Sequence, residues 1–277
     1  MVHALSCAPS ARRAFTLIEL LVVIAIIALL LGILFPALGS ARRSGWQTKS
    51  LANARTVQVA FQQYADEARN YPFRAPGDSP GPDYEGVVPE DVLLVQWWPG
   101  TAYIGTSDHF EHAHLWPSIL MPMDSWPEHY PTWVSPGFST ELPTIEDFFS
   151  DEQILPRALV SMRYSNSFVA DPRLWPTDPD AESSSDRSLL RAVRPGEVRY
   201  PASKVMVWDG HLAYIRPEPE VVGGHYDART PMAFADGHGA LHKPQDATAP
   251  APNTLREPGE APMTLHDTPG GVAGVDY

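Results

Sequence analysis

The chain has 277 residues, a net charge of −13, one cysteine, 29 prolines and eight tryptophans. That length holds a membrane helix and one domain large enough to bury a core. The acidic balance excludes a phosphate-binding surface of the nucleic-acid kind, and the single cysteine, Cys7, excludes an intramolecular disulfide framework.

Arg12 and Arg13 precede the most apolar stretch of the chain. From Phe15 to Leu38 there are 24 residues with one charge, Glu19. A bilayer core needs only about 20 apolar residues in a helix. A carboxylate inside such a run costs about 2.5–3.5 kcal/mol on insertion scales, so Glu19 requires a countercharge. A cut between Ala14 and Phe15 would supply one, because the new α-amine of Phe15 would lie one helical turn before Glu19 on the same face.

Phe15-Thr16-Leu17-Ile18-Glu19-Leu20, followed by the apolar run, resembles the leader junction of type IV prepilins and type II secretion pseudopilins. Counted from Phe15, Glu19 is the fifth residue and Pro36 the twenty-second, as in that family. Ala14 stands where the family usually has glycine. The resemblance implies a leader over 1–14 removed by a prepilin peptidase and methylation of Phe15. It also implies assembly with other pilin or pseudopilin subunits through Glu19 and the helix. It places the chain in the bacterial inner membrane, with the N-terminus cytoplasmic and the C-terminal domain periplasmic, or extracellular after assembly. Arg42 and Arg43 closely follow the span, so loop charge alone does not orient it. Other readings of the stretch are a secretory signal cleaved near Ala37-Leu38-Gly39, an uncut signal anchor, or a buried helix.

Beyond Pro36, which predicts a kink rather than a stop, Leu51, Ala54, Val57, Phe61, Tyr64 and Ala68 recur at helical spacing. They predict the apolar face of an amphipathic helix, with Gln47, Lys49, Arg55, Gln58, Gln62, Asp66 and Glu67 on the polar face. Asn70-Tyr71-Pro72 ends it. The helix is therefore expected over 15–71, transmembrane over 15–38 and amphipathic over 39–71. A domain over 72–243 follows, with a Pro- and Trp-rich insertion over 72–159.

The insertion shows little helical or strand period, although Trp97, Trp98, Trp116, Trp126 and Trp133 indicate packing against the sheet edge or a helix face rather than disorder. Ala75–Pro82 reads as a loop and Thr144–Phe149 as a short capped helix. Arg163–Val169 alternates as a strand. Lys204–Leu212 and Pro231–His242 each carry Asp-Gly between apolar runs, at Asp209-Gly210 and Asp236-Gly237, and predict two hairpins. The fold expected is α+β and pilin-like: a long N-terminal helix on a small antiparallel sheet.

His225 with Asp236-Gly237 resembles the H-X9-DG motif of a prepilin-like subgroup, with ten intervening residues instead of nine, which implies a one-residue bulge. The proline-rich segment 244–277 reads as a disordered or loosely draped tail.

Two clusters could hold metal: His109, His112 and His114 for zinc, and Asp209 with Asp236 for calcium. A solvated histidine loop and Asp-Gly turns account for the same residues without an ion. No nucleophile elbow, HExxH, phosphate loop or dinucleotide fingerprint occurs, so neither an enzyme nor a cofactor is expected. The competing function is a membrane-anchored periplasmic or surface protein that binds a ligand or metal and does not polymerise.

Overall fold

The computed structural model describes residues 17–75, 77–78, 86–88, 93–97, 102–106, 112–122, 125–142, 160–178, 181–256 and 260–277. The Thr144–Phe149 helix and most of the Ala75–Pro82 loop lie outside them. The chain divides into two units, residues 1–44 and 45–277.

Helix α1 runs over Leu17–Ala68 and passes through Pro36 without ending. Within the first unit every described residue is exposed, from Leu17 to Ser44. Among the described residues α1 is the one helix long and apolar enough to cross a membrane.

The second unit contains the rest of α1 and a four-stranded antiparallel sheet in the order β3-β4-β7-β8. These strands are β3 Met162–Tyr164, β4 Val205–Asp209, β7 Thr230–Phe234 and β8 Gly239–His242. Two hairpins stand apart from it, β1 Leu93–Trp97 with β2 Ala102–Thr106, and β5 Val221–Val222 with β6 His225–Tyr226. The insertion is thus more regular than its composition predicts: besides β1 and β2 it holds helices α2, His112–Leu120, and α3, Trp126–Trp133.

The α1 face turned to the core comprises Ser50, Asn53, Ala54, Val57, Gln58, Phe61 and Ala65. It is rotated from the predicted stripe: Ala68 is exposed, Leu51 and Tyr64 are half-buried, and Gln58, expected on the polar face, is buried. The buried polar residues reach carbonyls, Gln58 that of Ala235 and Asn53 that of Val134. Phe61 forms the centre of the packing, edge-on to Tyr164 at 4.6 Å and to Trp116 at 5.2 Å. Trp116 meets Trp133 at 5.5 Å, and Trp133 meets Trp126 at 5.6 Å. Three of the tryptophans therefore pack beside the helix; the side chains of Trp97 and Trp98 lie outside the described residues.

β4 and β7 are buried along their whole length because both faces are covered. Met206, Val207 and Ala233 face the α1 core. Val205, Trp208, Met232 and Phe234 form a second cluster with Leu265, and Tyr277 packs against it. The 244–277 segment, expected to be loose, is packed instead: Leu265 and Tyr277 lie on the second sheet face, while Ala251 and Val272 join the α1-side core. Ala251, Leu265, His266, Asp267, Thr268, Val272 and Asp276 are all buried there.

Two further expectations are corrected. Arg163–Val169 is a strand only over Met162–Tyr164, then turns into a 3-10 segment, Asn166–Phe168. The Ser165 hydroxyl bonds the Leu265 carbonyl and lies 2.7 Å from the Ser167 hydroxyl, which draws the backbone off the ladder. Asp209-Gly210 joins no hairpin: β4 ends there, and its neighbours are β3 and β7.

Candidate functional site: the N-terminal helix

The apolar part of α1 is a lipid- or helix-facing surface by chemistry. Leu17 is 79 % exposed, and Leu20, Leu21, Ile24, Leu30, Ile33 and Phe35 are each more than half exposed. Burying a Leu or Ile side chain is worth about 1.5–3 kcal/mol, so this surface has strong reason to be covered. Glu19 lies in the first turn of the helix, where a carboxylate is favoured by the helix dipole. Ala14 and Phe15 lie outside the described residues, so the spacing of a Phe15 amine from Glu19 rests on sequence.

The second candidate, His225 with Asp236-Gly237, is not one site. His225 lies in β6, where Nε2 donates to the Thr264 carbonyl at 2.7 Å and the ring packs against Trp208 and His266. Burial, first of all, pulls its pKa down to about 4. Asp236 sits in the β7–β8 turn, where one oxygen accepts from the backbone N–H and Nδ1 of His238. Gly237 there has φ +91° but Asp236 does not have a positive φ, so the hairpin closes through a three-residue loop, Phe234 N–H to the His238 carbonyl, rather than a two-residue Asp-Gly turn. The anticipated bulge between His225 and Asp236 is found elsewhere: the register shift is in β4, between Val205 and Val207.

Asp209 is a buried carboxylate with four donors. Oδ2 accepts from Ser50 at 2.6 Å and Ser135 at 2.7 Å; Oδ1 accepts from the N–H groups of His211 and Leu212 at 3.0 and 3.1 Å. It closes an Asx-type turn and ties α1 to the sheet. Burial outweighs those bonds and raises its pKa.

The histidine cluster is dispersed. His112 is buried, its Nε2 3.0 Å from the Arg74 carbonyl and its ring stacked on Phe73. His114 accepts from Arg163, which also donates to His211. His109 lies outside the described residues. Among those described, no three His, Cys, Asp or Glu residues group as a metal site would require.

Residues 9–35 match the family model of the prokaryotic N-terminal methylation motif. The match supports a type IV pilin-like protein, held in a membrane by one N-terminal apolar helix. It contains Ala14, Phe15 and Glu19 and ends at Phe35, so it covers neither His225 nor Asp236-Gly237. No curated protein and no solved structure matches the chain. Pilin-like proteins with this motif are structural subunits, so membrane and subunit contacts are the expected partners.

Proposed function

We propose that the chain is a prepilin or pseudopilin subunit, cleaved between Ala14 and Phe15 by a prepilin peptidase, methylated at Phe15, and assembled into a type IV pilus or type II secretion pseudopilus. The observation that carries this reading is the methylation motif lying directly on an exposed apolar helix. In the membrane, the Phe15 amine of one copy pairs with Glu19, which neutralises a carboxylate that hydrocarbon would otherwise penalise. Apolar half-helices then bundle, and Pro36, which removes one ladder hydrogen bond, lets the helix bend there. The 45–277 unit lies on the periplasmic side of the membrane.

The test is Glu19→Ala expressed in the native cell. The variant is expected in the membrane fraction at the normal level and absent from sheared filaments or pseudopili. Normal incorporation contradicts the role given to Glu19.

A further inference from the structure

Lys204 begins the passage into β4 and is completely buried, with Thr268 and Asp276 at 1 % and 2 % exposure beside it. Its Nζ lies 3.3 Å from Asp276 Oδ1 and 2.6 Å from the Thr268 hydroxyl, and that hydroxyl donates to the same Oδ1 at 2.5 Å. Asp276 Oδ2 accepts the backbone N–H of Val205 at 2.8 Å. An amine, a carboxyl group, a hydroxyl touching both and an N–H on the remaining oxygen thus converge in the protein interior. Reacting groups held about 3–3.5 Å apart reach effective molarities near 10⁵–10⁸ M, which takes about 7–11 kcal/mol off the barrier to their condensation.

We propose that Lys204 and Asp276 join as an intramolecular isopeptide bond, Nζ to Cγ, with loss of one water. One proton first passes from the ammonium to Oδ1 through the Thr268 hydroxyl, leaving a neutral amine and acid, a change favoured where burial penalises charge. The Nζ lone pair attacks Cγ, and the charge that develops on Oδ2 is held by the Val205 N–H. Thr268 relays a second proton from Nζ to Oδ1. Oδ1 leaves as water, the Oδ2 carbonyl reforms, and the amide keeps one N–H. Burial lowers the Lys204 pKa in spite of Asp276 and Asp267, which favours the nucleophilic form. The bond would fix the segment that covers the second sheet face to the sheet itself.

The full-length chain, purified in detergent, denatured and digested with trypsin, gives the test by peptide mass. The expected result is no cleavage after Lys204, and a peptide carrying Lys204 joined to the one carrying Asp276, one water lighter than their sum. Lys204→Arg, which keeps the charge and the contact but not the nucleophile, should restore separate peptides. Separate peptides from the unaltered chain overturn the proposal. So does a water loss that maps to Asp209-Gly210 or Asp236-Gly237, where succinimide formation has the same mass.

Discussion

Ser50 on α1 donates to Asp209 at the end of β4, 2.6 Å apart and 159 positions distant in sequence. With Ser135 on the other lone pair of the same oxygen, this contact fastens the helix, the loop after α3 and the sheet at one carboxylate. Asp209→Ala removes that carboxylate while leaving two buried hydroxyls and two N–H groups without it. It is expected to cost more than about 3 kcal/mol, because several neutral buried donors lose their acceptor at once, each at about 1–3 kcal/mol. Ser50→Ala is expected to cost about 1–3 kcal/mol. Urea unfolding of the full chain measures both, and an Asp209→Ala value below that of Ser50→Ala would argue against the carboxylate as the junction.

Phe61 is fully buried between Trp116 and Tyr164. Phe61→Ala is expected to destabilise by about 3–5 kcal/mol through the cavity it leaves. Val59, on the same helix but half exposed, should tolerate the same replacement within about 0.5 kcal/mol. Equal losses at the two positions would mean that the α1 face is misplaced.

Acid sensitivity follows from buried His225 and His266 and half-buried His211. His211 and His225 are pulled down to about 4, each chiefly by burial, and His266 is held well below the ordinary histidine value, again first by burial. A histidine held below its unfolded value stabilises fully above about pH 6.5 and loses that contribution as pH falls toward 4. Asp209 acts oppositely, since a carboxyl raised by burial stabilises most at low pH, but three histidines outnumber it. Thermal melting is therefore expected to fall steadily from pH 6.5 to 4, and His225→Gln should flatten the decline. A melting temperature constant over that range contradicts the assignment.

Gly237 adopts φ +91°, yet a Cβ there would meet the Gln58 side chain only at an ordinary 3.5 Å. Gly237→Ala is expected to cost about 1–3 kcal/mol from backbone strain alone. Gly271 combines φ +56° with a Cβ position 2.7 Å from Trp175, so Gly271→Ala should cost more. Calorimetry on both variants checks the order.

Much of this fold was legible in the chain because its signals are periodic. The uninterrupted run from Phe15 and the three-and-four spacing through Phe61 specify a helix, and Asp236-Gly237 specifies the β7–β8 turn. The face of α1 departs from its hydropathy pattern where polar side chains are buried against carbonyls, as Gln58 is on Ala235, since hydropathy scores them as solvated. Asp209-Gly210 carries the same letters as a hairpin but serves as a turn closed by its own carboxylate. The hairpin at Gly223-Gly224, both at positive φ, has a signal in the sequence too, two adjacent glycines between Val222 and His225, but strands of only two residues give it no flanking period. The 244–277 segment has no period because individual bonds hold it, such as Asp267 to Trp175, Asn253 and Arg256. Its need was nevertheless written in β4: Val205-Met206-Val207-Trp208 is apolar without alternation, as in strands buried on both faces. At the N-terminus the motif is legible because it is chemical, a lone carboxylate, the fifth residue counted from Phe15, within an apolar run.

The most direct test of the account is the first residue and mass of the mature chain from native membranes. Phe15 at the start, bearing a methyl group on its amine, is the result predicted. An intact Met1, or a start near Ser40, would contradict it and make the helix an anchor or a secretory signal instead.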